Sequence, residues 1–204
     1  MNNPKFIYSS SPDRGLDTLL YLFPFIRAEF PGATLDVFYG FENWSKSIAQ
    51  SGNEQQRVWR DQILESLEQP GVTLRGKVDQ QTLAKEMINA DIWLYPTNFT
   101  ETYCITALEA QLSGTVCICT DLAGLQATVG DRGILISGTG NAPAYTKEYR
   151  ERALEAVFAI LRDDERREAL VKRGKQWATE QTWANRAREW TTHFGLTPTA
   201  DNLS

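Results

Sequence analysis

Two runs in this chain, DIWLYP at 91–96 and TVCICT at 115–120, are apolar at nearly every position instead of alternating. Strands of that kind are buried on both faces, as happens in parallel sheets sandwiched between helices. Four further β-rich runs, at 5–10, 34–39, 72–77 and 133–137, complete a set of six expected strands. Helical patterns separate them at 16–29, 55–68, 80–90, 105–113 and, briefly, 125–129. Pro31-Gly32, Pro70-Gly71 and Gly114 each follow a helical run, where the chain would turn back into the next strand. This alternation predicts an α/β fold with a doubly wound parallel sheet of about six strands and helices on both faces.

After Asn141 only helical patterning remains, from 145 to about 180, followed by a segment that starts at Thr182 and carries Trp183 and Trp190 seven residues apart. Residues 145–204 are therefore expected to form a helical tail packed on the sheet, with Trp177, Trp183 and Trp190 docking it. Phe23, Phe25, Phe30, Trp93 and Tyr95 fall on helix or strand patterns and are expected in the core. At 204 residues the chain fits one large domain better than two small ones.

The formal net charge of −5 supplies no overall field that would favour nucleic acid or an anionic membrane. Cys104, Cys117 and Cys119 form no C-x-x-C pair, and the single histidine, His193, leaves too few soft ligands for a zinc site. Cys117 and Cys119 alternate along one strand, where packing is the default role. The N-terminal residues resemble no secretory leader, and no apolar run approaches the ~20 residues that span a bilayer. A cytoplasmic protein without transmembrane segments is expected.

Open parallel sheets bind ligands beyond the carboxyl ends of their strands. The loop after the first strand reads YSSSPDRGLDTLL. Gly15 lets backbone approach a ligand, and Arg14 can meet a phosphate with a planar pair of donors. Ser9, Ser10 and Ser11 add hydroxyl donors. After the fourth strand comes TETYCITALEA, in which Glu101 lies in a loop and Glu109 about two turns into the next helix. The helix start near Tyr103, Cys104 and Ile105 offers unpaired N–H groups and a positive dipole end to a diphosphate. Two carboxylates can also serve as the acid and base of a glycoside hydrolase, or merely cap and solvate a helix. The residues alone leave these readings open.

The Glu101-to-Glu109 segment resembles the E-x7-E signature of the family 4 (group 1) retaining glycosyltransferases of GT-B fold, and SSPDRGLDTLL resembles the phosphate-binding turn of the same family. The resemblance extends in order and spacing from Lys5 to the tail. It implies a Rossmann-like C-terminal domain that binds a nucleoside diphosphate sugar, UDP- or GDP-linked, with no other cofactor and no metal. It also implies roles. Glu109 would bind the ribose hydroxyls and Glu101 those of the sugar. The backbone of Thr102, Tyr103 and Cys104 would meet sugar and phosphate. Arg14 would hold the diphosphate, and Gly76, Lys77 and Val78 would line the base. Arg14 and Glu101 would be the catalytic pair, with the leaving diphosphate stabilised by Arg14 and the helix start, and no protein nucleophile is evident.

The chain departs from that pattern at Ser9, which stands where many relatives carry a basic residue; Arg75 or Lys77 could supply the missing charge. Enzymes of this fold use two such domains, so the acceptor-binding N-terminal domain is expected in a longer chain or a partner, with little transfer by these residues alone. The competing expectations are a non-catalytic sugar-nucleotide-binding or structural module, and a GT-B-like epimerase or phosphorylase, whose catalytic groups the sequence does not show.

Overall fold

The chain is described here by a computed structural model covering residues 1–51 and 53–195. Its strands are β1 (Lys5–Tyr8), β2 (Thr34–Val37), β3 (Val72–Leu74), β4 (Ile92–Tyr95), β5 (Val116–Thr120) and β6 (Ile134–Ile136). They form one sheet in the order β3-β2-β1-β4-β5-β6, and every pairing is parallel. The six expected strands are all present, each shorter than expected except β5.

The helices are α1 (Leu16–Glu29), α2 (Phe41–Ser51), α3 (Glu54–Ser66), α4 (Gln80–Ile88), α5 (Ile105–Ser113), α6 (Gly124–Thr128), α7 (Lys147–Arg162), α8 (Asp164–Glu180) and α9 (Trp183–His193), with 3₁₀ turns at Gly130–Arg132 and Pro143–Tyr145. Among the described residues no helix is long and apolar enough to cross a membrane.

The two apolar runs occupy the middle of the sheet. All residues of β4 and β5 are buried, and Trp93 stacks on Tyr95 with ring centroids 4.7 Å apart. A side chain of this kind taken fully out of water contributes about 1.5–3 kcal/mol, so these two strands anchor the core. Cys117 and Cys119 are buried and unpaired, as packing alone requires.

Helix α1 buries Leu16, Leu19, Leu20, Phe23 and Ile26, a stripe at helical spacing. Pro24 sits within it and has no N–H to offer the carbonyl of Leu20; the side-chain amide of Gln69 donates to that oxygen at 3.2 Å instead. Phe25, expected in the core, is half exposed. It stands four residues from Tyr21 on the outer face, and the two rings pack on each other at 5.6 Å.

Helix α2 was not expected. Its run FENWSKSIAQS is mostly polar, but Phe41, Trp44 and Ile48 share a face, and Trp44 packs edge-on against Phe41 and Trp59. The helical stretch expected from 145 to about 180 is divided into α7 and α8. Asp163 leaves helical geometry, and its carboxylate accepts the N–H of Arg166 at 2.9 Å, which starts α8.

The tail is also docked differently from expectation. Trp177 is half-buried, with the Arg132 guanidinium 4.2 Å over its ring. Trp183 and Trp190 on α9 are 85% and 68% exposed, so neither anchors the tail among the described residues. The remainder of the expected tail, residues 196–204, lies outside the described residues.

Candidate functional site

The strand order reverses between β1 and β4, which are neighbours in the sheet although α1 through α4 separate them in sequence. Their carboxyl ends therefore emerge side by side, and the 9–15 loop meets the 96–104 loop over the sheet edge. Gly15 shows how closely. Its φ is +98°, and a Cβ there would overlap the Pro96 carbonyl oxygen and stand 2.7 Å from its carbon. The glycine serves the contact between the two loops; it brings Arg14 in toward the second loop.

Arg14 Nη1 donates to Glu101 Oε1 at 3.0 Å, and its guanidinium lies 3.9 Å over the Phe99 ring. The Tyr95 hydroxyl donates to the same Oε1 at 2.8 Å and sits 3.5 Å from Ser10 Oγ. Glu101 is nearly buried, so these charge-assisted bonds replace the water it lost. Burial raises the Tyr95 phenol pKa, which keeps its proton available for donation. On the β1 side, the Tyr8 hydroxyl donates to the Ser11 carbonyl at 2.7 Å, and Arg14 N–H donates to the same oxygen at 3.0 Å, closing the turn.

The stretch from Glu101 to Cys104 lies against α6. Gly124 N–H donates to the Glu101 carbonyl at 2.9 Å, and the Thr128 hydroxyl donates to the carbonyl of Tyr103. A side chain at Gly124 would meet the Thr102 and Glu101 backbone within 2.7 Å. Cys104 then enters α5 with φ +62°, a left-handed conformation unusual for a residue with a side chain, and caps the helix without a side-chain hydrogen bond. Helix α5 thus begins beside this loop, and the positive end of its dipole suits an anion there. Burial pushes the Cys104 thiol up to about 12, so it stays neutral.

A cavity of about 770 Å³ opens over this arrangement. Ser10, Arg14, Glu101, Thr102, Tyr103, Cys104 and Ile105 all line it, so the structure brings together most of the residues singled out in sequence. Gly76, Lys77 and Val78 line a second cavity of about 330 Å³ on the other side of the β1 loop, together with Ser9. Arg75 does not supply a free charge there: its Nε is bonded to Asp36 Oδ1 at 2.8 Å. Lys77 is exposed and, among the described residues, has no ion-pair partner. Glu109 lines neither cavity. It is exposed on α5, and desolvation by the surrounding chain raises its carboxyl pKa. Gly15 is buried and Ser11 half-buried in the turn, and neither lines either cavity. Among the described residues, no three His, Cys, Asp or Glu side chains gather in a way that would hold a metal ion.

The sequence reading assigned Tyr95 to the core and gave Phe99, Gly124 and Thr128 no role at the site. Tyr95 is indeed buried, but its hydroxyl is on the site side. The available signal was its place as the last residue of a buried strand, directly before Pro96, where a polar tip reaches the carboxyl end of the sheet.

The family described as Glycosyl transferases group 1 matches residues 6–166, which take in both loops and all six strands but for the first residue of β1. The chain belongs to this family. A curated relative, the D-inositol 3-phosphate glycosyltransferase of Corynebacterium urealyticum, is 31% identical over 112 residues, 54% of this chain and 24% of that protein. Among solved structures, the pneumococcal O-GlcNAc transferase GtfA in complex with UDP and GlcNAc superposes with a TM-score of 0.71 at 16% identity, over 95% of this chain and 36% of that one. The Anabaena protein Alr3699/HepE in complex with UDP-glucose does so with a TM-score of 0.66 at 17% identity, over 95% and 49%. These likenesses show the fold. This group 1 glycosyltransferase chain thus spans less than half the length of each of these three proteins. The family and the doubly wound sheet agree with what the motifs and the strand pattern predict.

Proposed function

We propose that the chain is the donor-binding half of a retaining glycosyltransferase that uses a nucleoside diphosphate sugar, with UDP the favoured nucleotide. The observation that carries this reading is the convergence of Arg14 and Glu101, 3.0 Å apart, beside the start of α5. A diphosphate placed there meets a guanidinium and a helix N-terminus, and the adjoining carboxylate can accept sugar hydroxyls. The bond between the anomeric carbon and the diphosphate oxygen breaks as negative charge grows on the leaving group. Arg14 and the positive dipole end of α5 stabilise that charge, which is electrostatic catalysis without a metal. The acceptor hydroxyl attacks from the face the diphosphate leaves, forming the new C–O bond as its proton passes to the departing phosphate oxygen on that same face.

In this reading Glu109 holds the ribose, and Gly76, Lys77 and Val78 the base. The two cavities on either side of the β1 loop support a ligand that extends across it. The relatives bound to UDP or UDP-glucose support the nucleotide. Their greater length supports an acceptor-binding domain or partner chain beyond these residues, with little transfer in its absence. Three buried, unpaired cysteines support a reducing, cytoplasmic setting.

One observation favours a non-catalytic sugar-nucleotide module instead. Arg14 is already neutralised by Glu101, with Ser9 where a second basic residue would stand. Calorimetric titration with UDP, GDP and ADP in the presence of a chelator tests the donor site. Saturable binding of UDP that weakens in Glu109→Ala is expected; a folded sample that binds none of the three nucleotides overturns the reading. Donor binding without transfer, even with an acceptor domain supplied, would establish the module.

A further inference from the structure

Two donors share one oxygen in the site. Tyr95 Oη and Arg14 Nη1 both bond Glu101 Oε1, at 2.8 and 3.0 Å. The two donors differ in stiffness. Tyr95 is 1% exposed, stacked on Trp93 with an interplanar angle of 22° and tilted against Tyr8, so its hydroxyl has one position. The Arg14 side chain is a third exposed, on a long stem, and rests over a half-exposed Phe99. When a diphosphate draws Arg14 away, the nearly buried carboxylate loses its cation, and the Tyr95 hydroxyl is the bond that remains.

We infer that Tyr95 is a positioning residue of the donor site, whose hydroxyl holds the Glu101 carboxylate in place and so releases Arg14 for the diphosphate. The inference rests on the donor-site reading above and adds to it a residue that touches no ligand. Without the hydroxyl, Arg14 is the one side-chain partner left to the Glu101 carboxylate among the described residues. Diphosphate binding must then strip a desolvated carboxylate of its last partner, which weakens affinity.

The test is a double-mutant cycle on UDP affinity with Tyr95→Phe and Glu101→Ala, measured by calorimetry. Near-ultraviolet circular dichroism confirms that each variant is folded. Tyr95→Phe is expected to weaken UDP binding about fivefold, the worth of one hydrogen bond of ~1 kcal/mol. Glu101→Ala is expected to strengthen it, because Arg14 is freed. Tyr95→Phe in the Glu101→Ala background is expected to change affinity less than about twofold, since there is no carboxylate left through which to act. A role in packing alone would lower affinity equally in both backgrounds, and that result, or no effect in either, overturns the inference while UDP binding by the unaltered chain upholds the donor site. Absence of UDP binding by the unaltered chain overturns both.

Discussion

Gly15 and Pro96 are in backbone contact across the switch point of the sheet, so close that a single added carbon at Gly15 would overlap the Pro96 carbonyl. That contact sets the distance between the two loops that carry Arg14 and Glu101. Gly15→Ala should lower folding stability by about 2–4 kcal/mol, the sum of a left-handed alanine and an overpacked contact. Chemical denaturation would read the loss, and UDP affinity in the surviving folded fraction should fall with it.

Arg14 is the cation on both Glu101 and the proposed diphosphate. Arg14→Ala is expected to weaken UDP binding at least tenfold, in keeping with the ~1.5–3 kcal/mol of a charged hydrogen bond. Arg14→Lys should recover part of the loss, because a point charge replaces a planar pair of donors. Affinity unchanged in Arg14→Ala would place the diphosphate elsewhere, with Lys77 the next cation to alter.

Cys104 holds a left-handed backbone at the start of α5. Cys104→Gly should change stability by less than about 1 kcal/mol, because relief of strain offsets the added freedom of the unfolded chain and the lost thiol contacts. Cys104→Val puts a branched carbon in the same conformation and should destabilise by ~2 kcal/mol or more. Melting temperatures of the two variants that fall in the opposite order would show that the strain is not present in solution.

Desolvation raises the Glu109 pKa, so the folded chain takes up this proton more readily than the unfolded chain does. Ionisation of Glu109 therefore detracts from stability as pH rises through the carboxylate range, and Glu109→Gln should not lower the melting temperature at neutral pH. Binding runs the other way. If the carboxylate accepts ribose hydroxyls, UDP affinity should decline on acidification from a higher pH than an ordinary glutamate would give, and the decline should be shallower in Glu109→Gln. Identical pH profiles for the two proteins would remove Glu109 from the ribose.

The strands were legible because their cause is local. IWLY and VCICT are apolar at nearly every position, and a strand covered on both faces accommodates that pattern. The site was legible in part for a related reason: Arg14 and Glu101 lie in loops after strands, and the carboxyl ends of parallel strands share one edge of the sheet. Helix α2 was harder to read, because its three apolar residues become a stripe only when Trp44 finds Trp59 on α3. Phe25 and Trp190 failed for the converse reason, since a large apolar side chain says nothing about whether another element will cover it.

By itself, then, the sequence determined the kind of sheet, the family and the two loops that matter, since periodicity and motif spacing are properties of neighbouring residues. Only the tertiary structure decided which partners those residues take. It set Arg14 on Glu101 and Arg75 on Asp36, left Glu109 outside both cavities, and brought the Tyr95 hydroxyl from the core to the site. Each of those pairings joins residues on different loops or strands or depends on the depth of burial, and such contacts exist only once the sheet order has placed β1 beside β4 and β2 beside β3.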